Sequence, residues 1–161
     1  MAEQDFLKWR SSLDEWYLFF DGASKGNPGK AGGGGIILEP TGSTKLSFAW
    51  GLGFASNNQA EFLALWQGLT QVVKLGIKEV TIVGESKQVV DALNFKKIPK
   101  DMRLAHLYKK TLLLLEQLND YKIYHVLRLL NGQADKEANQ GTSLNKGHLK
   151  INGETSHHSI P

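Results

Sequence analysis

Four acidic residues stand where predicted strands end or predicted helices begin: Asp21, Glu61, Glu85 and Asp135. Asp21 follows the five large apolar residues 16–20. An acid at the end of such a strand carries a desolvation cost unless an ion or hydrogen-bond donors compensate for it. Because hard divalent cations select oxygen ligands, four carboxylates brought together predict a divalent-metal site.

Three of these acids also have a simpler interpretation. Glu61 suits the start of a helix, where the dipole favours negative charge, and Asp135 is likewise a helix-start acid. Glu85 can be a solvated acid at the end of a strand. The joint occurrence of the acids nevertheless favours the metal site over three unrelated explanations.

The glycine-rich turn that follows Asp21 permits two further interpretations. Its glycines can merely supply positive φ angles, as in any Gly-Asn-Pro-Gly turn. A phosphate-binding loop does not fit, because Ala31 follows Lys30 and Ser24 stands where the first glycine of that motif is required. The functional interpretation of this turn therefore depends on Asp21 rather than on the glycines.

Composition bounds the class of protein. The chain has 161 residues, enough for one domain with a substantial core. It contains no cysteine, which excludes disulfides, thiolate zinc sites and cysteine nucleophiles. The longest apolar runs, residues 16–20 and 112–115, are too short to span a bilayer. A formal charge of +3 permits a polyanionic partner without requiring one. We expect a soluble intracellular protein, cytoplasmic or nuclear, with no membrane partner.

The elements that must position the acids follow from hydrophobic periodicity and turn residues. They read as three strands, a helix, a strand, two helices, a strand and a closing helix, which indicates an α/β mixed sheet with helices packed on it. The fifth strand is predicted over residues 121–130. We expect a leader or linker over 1–14, one domain over 15–141 and a disordered tail over 142–161.

Four motifs lie in order along the chain: Asp21-Gly22 with Gly26-Asn27-Pro28-Gly29, Ser56-Asn57-Asn58-Gln59-Ala60-Glu61, Gly84-Glu85-Ser86, and Arg128-x-x-Asn131-x-x-Ala134-Asp135. Together they resemble type I ribonuclease H (RNase HI-like). The chain lacks the basic protrusion and the His-containing loop of many bacterial members, which favours the retroelement and plant-type branch. The resemblance implies a ribonuclease H-like fold with a five-stranded mixed sheet, order 3-2-1-4-5, and helices on both faces.

The resemblance also implies a function. It is that of a metal-dependent endonuclease that hydrolyses the RNA strand of RNA/DNA hybrids with two Mg²⁺ or Mn²⁺ ions, bound together with the substrate. Asp21 would bridge both ions, Glu61 and Glu85 would complete one side, and Asp135 would hold the other. Two ions roughly 4 Å apart can activate a water and stabilise the leaving 3′ oxygen.

Glu85 departs from the family pattern, which has aspartate at this position. Glutamate adds a methylene, and Mg²⁺ demands near-ideal octahedral geometry. A misplacement of about 1 Å at a catalytic group can cost on the order of 100-fold in rate. We therefore expect a weakened enzyme that favours Mn²⁺.

Hybrid recognition requires groups that read the 2′-OH and the shape of the minor groove. Short polar side chains and exposed amides suit this task, and the candidates are Gly26, Asn27, Ser56, Asn57, Asn58 and Gln59. The resemblance places Asn27 and Asn58 in the minor groove, and Ser56 and Asn57 near a DNA-strand phosphate. Alternatively, Asn27 shapes the turn and Ser56 or Asn57 caps the helix.

Lysines are further candidates for contact with the nucleic-acid backbone. Lys96 and Lys97 precede the long leucine-rich helix and suit phosphates, although a solvated lysine run has the same pattern. The alternative to an active nuclease is a catalytically impaired hybrid-binding or structural module of a retroelement polyprotein. As an isolated domain we expect a monomer.

Overall fold

The computed structural model describes residues 15–161, apart from the side chain of Leu129, and shows a mixed sheet between helices. The expected leader or linker at 1–14 lies outside the described residues. The strands are β1 (Trp16–Gly26), β2 (Gly29–Leu38), β3 (Thr44–Ala55), β4 (Glu79–Gly84), β5 (Asp120–His125), β6 (His148–Ile151) and β7 (Glu154–His157). The α-helices are α1 (Asn57–Lys74), α2 (Lys87–Asn94), α3 (Met102–Leu115) and α4 (Gly132–Gly141), with a 3₁₀ turn at Arg128–Leu130.

The seven strands described within residues 15–161 form one sheet in the order β5-β4-β1-β2-β3-β6-β7. β1 and β2 are antiparallel, as are β2 and β3, whereas β4 runs parallel to both β1 and β5. The first five strands therefore have the predicted 3-2-1-4-5 order. Two strands were not predicted, and they extend the sheet beyond β3.

Alternation along β1 explains why helices cover both faces. Leu18 and Phe20 join the larger core cluster, which contains apolar residues of α1, α2 and α3. Tyr17 and Phe19 point to the opposite face, where a smaller cluster includes Ala134 of α4. Successive side chains of a strand face opposite ways, so an almost continuous apolar run predicts burial on both sides.

The glycines of β2 let a helix approach the sheet closely. A Cβ atom built on Gly34 would lie 2.2 Å from the backbone nitrogen of Ala138 in α4. No side chain fits in that space. The absence of a side chain at Gly34 thus seats α4 directly on β2 and fixes the height of its first turn, which carries Asp135.

Two predictions of secondary structure were wrong. The fifth strand ends at His125 rather than at residue 130, because its partner β4 ends at Gly84 and offers no backbone groups beyond that point. β1 does not end at Asp21; it continues to Gly26 as a hairpin with β2. None of the helices described between residues 15 and 161 has the length and apolar character that would let it cross a membrane.

The predicted disorder of residues 142–161 is corrected over most of its length. β6 and β7 form a hairpin, and β6 pairs with β3. Asn152 and Gly153 both have positive φ angles, 50° and 89°, as expected when Asn-Gly joins two short strands. Leu149 is fully buried and the indole N–H of Trp50 donates to the carbonyl oxygen of His158 at 3.1 Å.

Candidate active site

Four separate elements carry the predicted acids to one place. The last paired positions of β1 and β4 are Phe20 and Gly84. Asp21 is the next residue of β1, and Glu85 is the residue that follows β4. Asp135 lies in the first turn of α4. Carboxylate oxygens of Asp21, Glu85 and Asp135 all lie within 4.8 Å of one another. Convergent carboxylate oxygens of this kind suit a hard divalent cation.

Glu61 joins the cluster because α1 packs tightly on β1. A Cβ atom on Gly22 would lie 2.3 Å from the carbonyl carbon of Ala60. The strand and the first turn of α1 are therefore in backbone contact, which brings Glu61 to the side of Asp21. Its Oε2 atom is buried and lacks a hydrogen-bond partner.

Crowding and burial change how these acids ionise. Burial, and then the charge of Glu61, raises the pKa of Asp21 to about 11. Burial raises the pKa of Glu61 to about 7, against the opposing effect of hydrogen bonds with Asp21 and the Gly22 backbone. Carboxylates that cannot all ionise together take up either protons or a cation. The electrostatics and the unpartnered Glu61 oxygen thus both fit a cation in this cluster.

Two residues of the fourth motif, which sequence reasoning left without a role, also reach the acids. Arg128 approaches Asp135 with 3.6 Å between Nη2 and Oδ1, and its side chain is largely exposed. Asn131 is buried and donates from Nδ2 to Oε2 of Glu85 at 3.2 Å. The sequence feature that could have indicated both residues is their spacing before Asp135 in the fourth motif. Because the Arg128 side chain is largely exposed, it leaves the acidic cluster open to ligands.

An open cleft of about 500 Å³ lies over the acids. Asn57 and Asn58, at the start of α1, line this cleft together with Ser86 and Asn139. The two asparagines therefore share one surface with the acidic cluster, as a nucleic-acid strand laid across it would require.

The other predicted hybrid-binding residues have structural partners. Ser56 caps α1 by accepting from the Gln59 backbone, while Gln59 Oε1 accepts from the Ser56 backbone at 2.9 Å. Asn27 Oδ1 accepts from the Asn57 backbone at 3.0 Å, and Gly26 has a φ angle of 97°. These contacts match the capping and turn-shaping alternatives and also fix the rim of the cleft.

Lys96 and Lys97 lie apart from this cleft. Both are exposed and follow the end of α2, and neither lines the cleft over the acids. Lys96 has a φ angle of 53°, so the chain turns sharply there. Their contact with phosphates stays a prediction.

Sequence comparison relates this chain to known proteins. It matches the family described as reverse transcriptase-like over residues 19–141. It is 37% identical over 120 residues to a bifunctional protein of Mycobacterium tuberculosis, covering 74% of this chain and 33% of that one. It is 33% identical over 124 residues to ribonuclease HI of Halobacterium salinarum, covering 77% and 62%. The chain thus spans about a third of the length of the mycobacterial protein and less than two thirds of the length of the Halobacterium protein.

Solved structures agree with the sequence comparison. The crystal structure of the Halobacterium salinarum enzyme superposes with a TM-score of 0.76 at 32% identity, over 80% of this chain and 97% of that one. LC11-RNase H1, solved in complex with an RNA/DNA hybrid, gives 0.75 at 27% identity over 80% and 97%. The resemblance to ribonuclease H is confirmed, and the chain belongs to the reverse transcriptase-like family of ribonuclease H domains.

Proposed function

We propose that this domain hydrolyses the RNA strand of RNA/DNA hybrids in a reaction that depends on Mg²⁺ or Mn²⁺. One observation carries the proposal: oxygens of Asp21, Glu85 and Asp135, which are 50 or more positions apart in sequence, converge within 4.8 Å. The buried Glu61 oxygen without a donor supports it. A related enzyme, LC11-RNase H1, has been solved with such a hybrid.

The four acids would hold the cations, and two cations would be bound when the substrate is present. Asp21 is central because its carboxyl group interacts with the side chains of both Glu61 and Asp135. A bound pair of such ions supplies charge stabilisation and an activated water for in-line displacement at phosphorus. The protein contributes fixed ligands, held by backbone contact between β1 and α1. This rigidity matters because a catalytic group displaced by about 1 Å can lose on the order of 100-fold in rate.

Hybrid binding is assigned to the polar rim of the cleft. Asn57 and Asn58 line the cleft, where they suit the minor groove and the adjacent phosphate. Gly26, Asn27, Ser56 and Gln59 hold that rim in shape through turn geometry and their own hydrogen bonds. Lys96 and Lys97 would extend the contact to phosphates farther along the duplex.

Glu85 sets the expected level of activity. Its carboxylate belongs to the acidic cluster, so the longer side chain is compatible with metal binding. Its extra methylene still changes the direction from which the oxygen approaches. We therefore propose a slowed enzyme with a preference for Mn²⁺, whose ligand geometry is less demanding.

A cleavage assay tests the proposal. A hybrid labelled on its RNA strand is incubated with the protein in EDTA, Mg²⁺ and Mn²⁺, beside the Asp21→Asn variant. We expect cleavage only with metal, products with 5′-phosphate and 3′-hydroxyl ends, and a loss of at least about 1000-fold in the variant. Cleavage in EDTA, or unreduced cleavage by Asp21→Asn, would rule the assignment out.

The second candidate is a hybrid-binding or structural module without efficient cleavage, and the glutamate at position 85 is the observation that favours it. A binding assay on the same hybrid separates the two. Saturable binding without metal-dependent cleavage selects the binding module, whereas failure to bind at low salt leaves a structural role.

A further inference from the structure

Asn131 is a buried polar residue with a specific pair of hydrogen bonds. Its side chain is 1% exposed. The Nδ2 group donates to the carbonyl oxygen of Phe20 at 2.9 Å and to Oε2 of Glu85 at 3.2 Å. A buried amide that donates to a carboxylate forms one of the stronger classes of hydrogen bond. The contact therefore restricts where the Glu85 carboxylate can lie.

The position of Asn131 ties it to three of the four acids. Phe20, whose carbonyl it contacts, immediately precedes Asp21 in β1. Its own carbonyl accepts from the Asp135 backbone at 3.0 Å in the first turn of α4. One residue thus connects the strand that carries Asp21, the helix that carries Asp135 and the carboxylate of Glu85.

We propose that Asn131 is a positioning residue that holds the glutamate at position 85 in the orientation needed to bind a divalent cation. This inference rests on the proposed metal-dependent function and deepens it. Glutamate has one more rotatable bond than aspartate, so its carboxylate can lie in more places, and the Asn131 amide selects one of them. The carboxylate oxygen that accepts this bond is fixed, and the side chain then presents its group to Asp21 and Asp135.

The length of the side chain makes the contact specific to glutamate. Aspartate is shorter by one carbon–carbon bond, roughly 1.5 Å. A donor–acceptor distance of 3.2 Å increased by a large part of that length exceeds the range of a hydrogen bond. An aspartate at position 85 would therefore lose the hydrogen bond from Asn131. It would also need that bond less, because its shorter side chain has fewer conformations to restrict. The bond from Asn131 to Phe20 does not depend on residue 85.

A double-mutant cycle on metal binding tests the proposal without using catalysis. Binding of Mn²⁺ to hybrid-free protein is measured by electron paramagnetic resonance for the wild type, Asn131→Ala, Glu85→Asp and the double variant. We expect Asn131→Ala to weaken Mn²⁺ binding about tenfold beside Glu85, since groups that hydrogen-bond to metal ligands typically contribute 10- to 100-fold to affinity. In the Glu85→Asp background we expect less than about threefold, because interacting residues are non-additive.

Thermal unfolding separates positioning from simple support of the fold. The hydrogen bond from Asn131 to Phe20 does not involve residue 85. We therefore expect its loss in Asn131→Ala to lower the melting temperature equally in the wild-type and Glu85→Asp backgrounds. Asn94→Ala is the matched control, because it also removes an amide bond to a backbone carbonyl, that of Ile123 at 3.0 Å. We expect this control to lower the melting temperature while Mn²⁺ binding stays unchanged.

Equal weakening of Mn²⁺ binding by Asn131→Ala in the wild-type and Glu85→Asp backgrounds would overturn the proposal. Should Asn131→Ala fail to fold, the side-chain amide signals of Asn131 in the NMR spectrum of Glu85→Asp still decide it. A changed chemical shift supports the contact, and an unchanged one overturns it. A wild-type protein that binds Mn²⁺ but does not cleave hybrid refutes the nuclease function alone, whereas absence of Mn²⁺ binding refutes both.

Discussion

Gly22 of β1 packs against the backbone of Ala60 in α1, so closely that a Cβ atom on the glycine would lie 2.3 Å from the Ala60 carbonyl carbon. Asp21 and Glu61 are the chain neighbours of these two residues. The approach of strand and helix at this point therefore sets the separation of two of the four acids. The Gly22 N–H also donates to Asp21 Oδ1 at 3.0 Å, which orients that carboxylate.

Replacing Gly22 by alanine should damage both stability and activity. The added methyl group must push α1 away from β1, and overpacking of this kind costs about 3 kcal/mol of unfolding free energy. Displacement of Glu61 by about 1 Å should reduce hybrid cleavage on the order of 100-fold. Urea unfolding and the cleavage assay measure the two effects. Gly132→Ala is the control, since a Cβ atom there meets nothing within 4 Å; equal behaviour of both variants would contradict the prediction.

Stability of the metal-free protein should depend on the ionisation of the buried acids. The pKa of Glu61 is raised from 4.5 to about 7 and that of Asp21 from 3.8 to about 11. For each acid, at pH values between its ordinary pKa and its raised pKa, the folded state binds more protons than the unfolded state. The unfolding free energy therefore falls as the pH rises through that range. Below about pH 4 both states are protonated and the acids cost nothing.

Asp21→Asn isolates this effect. In EDTA the melting temperature should show the variant gaining stability over the wild type as the pH rises above about 4, by up to about 1.4 kcal/mol per pH unit, because the Asp21 carboxyl then ionises in the unfolded state but not in the folded state. Addition of Mg²⁺ should remove the difference, because a cation neutralises the crowded carboxylates in the wild type. A difference that stays constant with pH would show that the acids are not coupled as the structure indicates.

Glu85→Asp should shift the metal preference. The shorter side chain restores the ligand length typical of the family, so we expect the ratio of cleavage rates in Mn²⁺ and Mg²⁺ to fall about tenfold, mainly through a faster rate in Mg²⁺. Single-turnover kinetics with each metal measure this ratio. Unchanged hydrolysis in Mg²⁺ would show that the glutamate does not slow the enzyme.

Leu149→Ala should reveal whether the hairpin of β6 and β7 belongs to the folded domain. Leu149 is fully buried in the main core cluster, and removal of such a side chain costs about 3 kcal/mol. Chemical denaturation measures the loss, with Thr155→Ala on exposed β7 as the control. A Leu149→Ala variant as stable as the wild type would return residues 148–157 to the disordered tail first expected.

Residue patterns predicted the succession of strands and helices because period and turn chemistry are local properties, whereas the strand order was implied by the resemblance to ribonuclease H. The apolar run before Asp21 indicated a central strand, and the helical spacing of residues such as Phe62, Leu65 and Leu69 indicated α1. Asp21 was found because an acid at the end of an apolar strand is costly without an ion or donors, and the other three acids were found by their positions at strand ends and helix starts. The oligomeric state and the cellular compartment stay predictions.

Other features depend on contacts that a single sequence does not display. Asn131 acquires its role only when β1, β4 and α4 meet, since its partners are 111 and 46 positions away. The end of β5 is set by the end of β4, which is likewise a property of the neighbour. The hairpin at Asn152-Gly153 had a readable turn signal, but its short strands, with exposed β7, obscured it.

The hairpin of β6 and β7 changes what the domain offers to other molecules at the border of its sheet. Without it, the long and largely buried β3 would present a row of unpaired backbone groups, a template for fibril-like self-association. β6 covers the middle of this border by pairing with Phe48–Trp50, and the outermost strand there becomes β7, whose four exposed side chains are charged or polar. A short polar strand thus stands at this border in place of the middle of β3, a feature that disfavours edge-to-edge association.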